Sequence, residues 1–217
     1  LGWIAIDSGY AGGLDRYLKR FSTLAPIDAI RYVFLTHSHN DHAGFLGELL
    51  EKTGARLIAS ERSLPRLASG VNAMPQGTGF ISPGVRLLSR MMRNSTFPPV
   101  LPDSSAHIIS GEGDQPLLAA GLPIRILQLP GHTADSIALL LEETGDLFCG
   151  DAAARFFLAP KRQSILIEDL PEFQRSWDRM LAVHPTRIYP SHGNPFSPED
   201  LVKYRHYMDG RTLYLPK

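Results

Sequence analysis

The chain has 217 residues, 43% of them hydrophobic, and its 22 Lys and Arg are balanced by 22 Asp and Glu. That length and apolar content suit one large domain with a sizeable core. The charge balance leaves no net basic field to draw nucleic acid or an anionic membrane, and no apolar run approaches the span of a bilayer. The single cysteine, Cys149, excludes an internal disulfide and suits a reducing, cytoplasmic setting. No basic-then-apolar leader is present. The sequence begins abruptly at Leu1-Gly2-Trp3, as if inside a strand, so a preceding strand is expected.

Trp3 to Ile6 reads as a strand ending at Asp7-Ser8-Gly9. Leu14 to Phe21 reads as a helix, with Leu14, Tyr17, Leu18 and Phe21 on one face and Pro26 beyond its end. Ile30 to Leu35 is the next strand, Ala43 to Lys52 the next helix with Gly54 as its stop, and Arg56 to Ser60 a third strand. Strand, helix, strand, helix, strand is the pattern of an α/β layered domain.

From Glu61 to about Ser105 the composition shifts to Pro, Gly, Ser and Met. Within it Pro83 to Arg93 predicts a helix, with Ser82 as cap and Val85, Leu88, Met91 and Met92 apolar. The stretch reads as a lid or insertion at about 61–105 in a single domain over 1–217, or as an ordinary surface excursion. Short strands follow at Ala106 to Ile109, Ile124 to Leu129, Ile137 to Leu141 and Leu147 to Cys149, with a hairpin turn at Glu143 to Asp146. Pro171 to Val183 is a helix with Phe173, Trp177, Met180 and Leu181 inward, and Arg187 to Tyr189 a strand. A last helix opens at Ser197-Pro198-Glu199-Asp200, with Ser197 as cap.

The most informative stretch is Thr36-His37-Ser38-His39-Asn40-Asp41-His42, on the loop between the strand at Tyr32 to Leu35 and the following helix. Three imidazoles and a carboxylate are the ligands that borderline divalent metals take. Four such groups in one short loop exceed what one tetrahedral ion readily accepts, which suggests two ions side by side. Three more ligand-type residues stand at strand ends beside glycine: His132 in Gly131-His132-Thr133, Asp151 in Gly150-Asp151, and His192 in Ser191-His192-Gly193. Strand ends on one edge of a layered domain converge on one crevice.

His-x-His-x-Asp-His, followed in order by Gly-His-Thr, Gly-Asp and Ser-His-Gly, resembles the metallo-β-lactamase-fold superfamily over nearly the whole chain. The resemblance implies an α/β, four-layer αββα sandwich, two mixed β-sheets flanked by helices, with metals at one edge. It implies that His37, His39 and His132 hold one ion, that Asp41, His42 and His192 hold a second, and that Asp151 bridges them. Two cations lower the pKa of a shared water, so the implied chemistry is hydroxide attack on a polarised carbonyl. Asp41 would orient that nucleophile or take its proton. Asp7 is a candidate support for the site, or simply a turn residue.

Departures from the family pattern narrow the reading. Ala134-Asp135-Ser136 replaces the Pro-Gly common after Gly-His-Thr, and Asp135 reads as either a supporting acceptor or a turn carboxylate. The bridging position resembles Asp151 rather than a cysteine, with Cys149 in the core, which disfavours β-lactam hydrolysis. Hydroxyacylglutathione thioesterases share the Asp151 pattern, but their glutathione-binding extension and the sequence after the bridging aspartate have no match here. Arg155, Phe156 and Phe157 read as pocket lining, or as core or rim packing. Lys161 and Arg162 read as a solvated pair or as an anion contact. His184 reads as a helix C-terminal cation, and His107 and His206 as structural or exposed.

These observations predict a binuclear metallohydrolase acting on an ester, thioester or lactone in a small-molecule substrate. It would use two divalent metal ions, zinc first, although the ligand types also suit Fe or Mn. Two alternatives stand beside it. One is a mononuclear iron persulfide dioxygenase of the same superfamily, using His37, His132 and Asp151. The other is a non-catalytic metal-binding member.

Overall fold

In a computed structural model of the chain, residues 2–89, 96–103 and 107–216 are described. The elements run β1 (Trp3–Ile6), α1 (Leu14–Phe21), β2 (Ile30–Phe34), α2 (Leu46–Thr53), β3 (Arg56–Ser60), α3 (Leu64–Ser69), β4 (Gly79–Phe80) and α4 (Pro83–Ser89). They continue with β5 (Ile108–Ser110), α5 (Pro116–Ala119), β6 (Ile124–Gln128), β7 (Ile137–Leu141), β8 (Asp146–Gly150), β9 (Leu166–Ile167), α6 (Leu170–Ala182), β10 (Arg187–Pro190) and α7 (Glu199–Tyr204). Two compact units result, one formed by residues 1–73 and 94–111, the other by 74–93 and 112–217.

The first unit holds a parallel sheet in the order β1-β2-β3-β5. Parallel neighbours require a crossover connection, and α1 and α2 supply two of them. Parallel strands covered on both faces are apolar without alternation, which is why β2 and β3 read as continuous runs. Val33, Phe34, Leu35, Leu57 and Ile58 are all fully buried. Leu46 and Leu49 of α2 and Leu18 of α1 pack in the same core as Val33, Leu35 and Leu57. Emptying one such leucine site costs about 2–5 kcal/mol. Helix α2 stops where expected: Gly54 is left-handed at φ 66°, and its N–H donates to the Leu50 carbonyl.

The second unit holds a mixed sheet in the order β10-β8-β7-β6, with β6, β7 and β8 antiparallel and β10 parallel to β8. The expected turn between β7 and β8 is present, with Gly145 at φ 72°. Helix α6 is capped by the Asp169 carboxylate, which accepts from the Glu172 N–H at 2.8 Å. Its residues Phe173, Trp177 and Met180, spaced for one helical face, are fully buried with Leu129, Leu147 and Ile188. The Trp177 indole N–H is satisfied by the Ala152 carbonyl at 2.7 Å. Strands β4 and β9 form a separate antiparallel pair.

Three local readings are corrected. Helix α2 begins at Leu46, not Ala43. A side chain at Gly44 would meet Ala11 N at 2.3 Å and Gly9 O at 2.4 Å, so residues 43–45 press against the loop after β1 rather than coil. The N-cap of α7 is Pro198 rather than Ser197, whose carbonyl accepts from the Asp200 N–H at 3.0 Å. An additional helix, α3, lies inside the Pro- and Ser-rich stretch and buries Leu67. The expected helix over Pro83 to Arg93 is seen as α4, with Ser82 Oγ accepting from the Val85 N–H. Residues 90–93, with Met91 and Met92, and the side chain of Leu88 lie outside the described residues, as do Leu1, Ser105 and Ala106. Among the described residues no helix is long and apolar enough to cross a membrane.

Candidate metal centre

In the first unit, β2 delivers the histidine loop. His37, His39 and His42 are buried, and Asp41 is partly exposed. His37 Nε2 lies 3.1 Å from His39 Nδ1, and the His37 and His42 ring centroids are 4.0 Å apart. The Asp41 carboxylate lies 3.7 Å from His42 Nε2. One loop therefore gathers three imidazoles and a carboxylate, with His37 against both His39 and His42 and Asp41 against His42.

Asp7 organises this group from the end of β1. Its Oδ2 accepts from His42 Nδ1 at 2.7 Å and from the Thr36 hydroxyl at 2.8 Å, while its Oδ1 accepts from the Thr36 N–H at 2.7 Å. Thr36 gives its proton to Asp7, so its oxygen accepts from His37 Nδ1 at 3.1 Å. One buried carboxylate thus fixes His42 directly and His37 through Thr36, turning Nε2 of each ring away from it. Asp7 stands at φ 57°, a left-handed conformation uncommon for residues other than glycine, asparagine and aspartate. Asp7 is a supporting residue in the observed geometry and not only a turn residue. Nothing in the composition marks Thr36; its position next to His37 was the available signal.

In the second unit, His132, Asp151 and His192 follow β6, β8 and β10 and come together. Asp151 Oδ2 is 3.7 Å from His132 Nε2 and 3.7 Å from His192 Nε2. That separation is long for a hydrogen bond. It is close to the spacing of two ligands each ~2.1 Å from one tetrahedral ion. His132 Nδ1 donates to the Leu166 carbonyl at 2.8 Å, which sets the tautomer that leaves Nε2 as the lone-pair nitrogen. Ser164 donates to the Asp151 carbonyl at 2.8 Å, and the Arg155 N–H donates to the His192 carbonyl at 2.9 Å. Gly131 is required: at φ 134° its Cβ would lie 2.3 Å from Phe173 N. Leu166 could not be read from sequence, because a backbone carbonyl carries no residue signature.

The donor set fits a divalent cation in both units: imidazole nitrogens, those of His37, His42 and His132 oriented by hydrogen bonds, with carboxylate oxygens beside them. Cys149 is not part of it. It is 1% exposed, and burial pushes its thiol up to about 12.

The remaining candidates divide. Asp135 is fully buried in the turn after Thr133. A cavity of about 360 Å³ is lined by Arg155, Phe156, Phe157, Pro160, Gly193 and Asn194. Phe156 lies 5.0 Å from the His192 ring, and Phe157 is 97% exposed. The solvated-pair reading is overturned for Arg162, whereas Lys161 stays partly exposed. Lys161 sits over the Tyr207 ring, and Arg162 is buried, stacked on Phe196 and ion-paired with Asp200 at 2.7 Å. His107 Nδ1 accepts from the Leu57 N–H, a structural bond; desolvation lowers its pKa, against the raising effect of Asp103. His184 is exposed just beyond α6.

The model of the metallo-beta-lactamase superfamily matches residues 2–192. A beta-lactamase-like protein 2 homolog of Drosophila melanogaster is 26% identical over 184 residues, 85% of this chain and 51% of the relative. A hydroxyacylglutathione hydrolase of Shewanella pealeana is 31% identical over 123 residues, 57% of this chain and 33% of the relative. The chain thus spans about half or less of the length of these two relatives. The crystal structure of TTHA1623 in a di-iron-bound form superposes with a TM-score of 0.58 at 22% identity, covering 92% of this chain and 86% of that one. The α/β fold class expected from the sequence is that of these relatives. The chain belongs to the metallo-beta-lactamase superfamily, whose members are generally metal-dependent hydrolases.

Proposed function

We propose that the chain is a binuclear metallohydrolase that cleaves an ester, thioester or lactone in a small-molecule substrate. In this reading His37, His39 and His132 hold one cation, Asp41, His42 and His192 hold the other, and Asp151 bridges the two, with zinc as the resident metal. The observation that carries it is the position of Asp151 Oδ2, equidistant at 3.7 Å from His132 Nε2 and His192 Nε2. The buried imidazole group of the histidine loop and family membership support it. So does the hydroxyacylglutathione hydrolase among the relatives.

Divalent cations bound there would supply a water acidified to near-neutral pKa and would polarise the substrate carbonyl. The chain's residues do the rest. Asp7 accepts the Nδ1 proton of His42 and, through Thr36, orders His37, so both rings present Nε2 without rotational search. The Leu166 carbonyl does the same for His132. Asp41 orients the attacking water or takes its proton. The cavity beside His192, with an exposed cation at Arg155 and apolar walls at Phe156 and Phe157, receives the substrate.

Metal analysis of the purified protein, combined with assays on p-nitrophenyl esters, thioesters and lactones, tests this reading. Two zinc ions per chain and turnover of one class are expected. Two irons, as in the di-iron form of TTHA1623, with hydrolytic turnover would change the metal and keep the chemistry. One iron with oxygen consumption would replace hydrolysis by persulfide oxidation. Full loading with no turnover would leave a metal-binding protein.

A further inference from the structure

Asn40 stands between His39 and Asp41, and it is held from outside the loop. Its backbone N–H donates to Asn72 Oδ1 at 2.8 Å, and Asn72 Nδ2 donates to Asn40 Oδ1 at 3.0 Å. The two bonds close an amide pair across 32 positions of sequence. Both residues are partly buried, so water replaces these bonds less readily than on an open surface.

Asn72 is itself anchored. Helix α3 ends at Gly70, left-handed at φ 62°, where a Cβ would meet the Phe97 carbonyl at 2.5 Å. The Phe97 N–H donates to Gly70 O at 2.8 Å, and the Val100 N–H donates to Leu67 O at 2.9 Å. Val71 bridges to Thr96. Leu67, Phe97 and Val100 are buried in the core that also holds Leu46 and Leu49 of α2, the helix that follows the histidine loop. The Pro- and Ser-rich stretch, which the proposed chemistry does not use, thus presents one amide to that loop from a fixed base.

We infer that Asn72 is a positioning residue for the metal-binding loop. It fixes the backbone between His39 and Asp41, whose side chains the proposed function assigns to different ions; the inference rests on that assignment. Only the dihedrals of Asn40 and its two flanking peptides separate these ligands, so a rotation there redirects both. A bond on the Asn40 N–H and another on its side chain remove that freedom before any ion arrives, which lowers the ordering cost of binding.

The test uses Co(II) loaded into the whole chain. Its readouts are the visible ligand-field spectrum, the dissociation constant from competition with a chromophoric chelator, and the melting temperature of the metal-free form. Asn72→Ala removes both bonds, and Asn40→Ala only the side-chain bond. Asn72→Ala is expected to weaken Co(II) binding about tenfold and to change the spectrum. Asn40→Ala is expected to shift both in the same direction by less, with metal-free melting close to that of the parent. An unchanged spectrum and affinity in Asn72→Ala would overturn the inference. Should that variant fail to fold, an unchanged spectrum in Asn40→Ala would overturn it instead. Absence of Co(II) binding by the parent protein would overturn the metal centre and this inference together. Normal parent binding with unaffected variants would overturn this inference alone.

Discussion

Asp7 and His42, 35 positions apart, meet at 2.7 Å, carboxylate oxygen to Nδ1, in a buried site. The same carboxylate accepts from the Thr36 N–H and hydroxyl. Asp7→Ala should leave His42 and Thr36 without their acceptor and let both His42 and His37 rotate. A loss of about 10- to 100-fold in metal affinity is expected, measured by chelator competition. Asp7→Asn keeps one oxygen acceptor and should fall between the parent and Asp7→Ala.

Gly131→Ala tests the local geometry before His132. The substitution combines a φ of 134° with a Cβ 2.3 Å from the Phe173 backbone nitrogen, and neither can be relieved by a side-chain rotation. Destabilisation well above about 1 kcal/mol is expected, read as a fall in the urea midpoint. Gly54→Ala, where nothing lies within 4 Å of the added carbon, should cost less, because only the φ of 66° is strained.

Cys149→Ala should retain full metal loading. Its thiol is buried among Ala153, Leu147 and neighbouring core residues, so a thiol reagent such as dithiobis-nitrobenzoate should react only after unfolding. Rapid labelling of the native protein would contradict the burial.

Two surface carboxylates link stability to pH. The Arg175 guanidinium holds Glu172 below the usual carboxylate range, and Arg205 does the same to Asp178. A carboxyl whose folded pKa lies below its unfolded one stabilises the fold above the unfolded value, ~4.3 for Glu and ~3.9 for Asp. That contribution is lost as pH falls through the depressed folded value. Both pairs are solvent-accessible, so solvent screens them and each contribution is small. Arg205→Gln should lower the urea midpoint at pH 7 and make little difference near pH 2.

The identity of the longer strands and helices was legible because their signals are local, while the short α3, β4, α5 and β9 were not read. Apolar runs at Ile30 to Leu35 and Arg56 to Ser60 mark buried parallel strands, and the spacing of Phe173, Trp177 and Met180 marks one helix face. The start of α2 was not legible, because the space at Gly44 is set by backbone atoms of Gly9 and Ala11, more than thirty residues away, as well as by the Asn40 carbonyl. The burial of Arg162 was hidden for the same reason, since Asp200 and Phe196 lie more than thirty residues away.

By itself the sequence determined which side chains are available as ligands, and the strand ends that carry them: His37 to His42 after β2, and His132, Asp151 and His192 beside glycines. Ligand chemistry and backbone freedom are properties of single residues and their neighbours. Only the tertiary structure decided the orientation of those rings. The parallel pairing of β1 with β2 sets Asp7 beside Thr36 and His42. The approach of β9 gives His132 the Leu166 carbonyl, and the anchored segment after α3 brings Asn72 to Asn40. Each of these bonds joins positions 29 to 35 residues apart, and no periodicity or motif encodes a hydrogen bond at that distance; chain packing does.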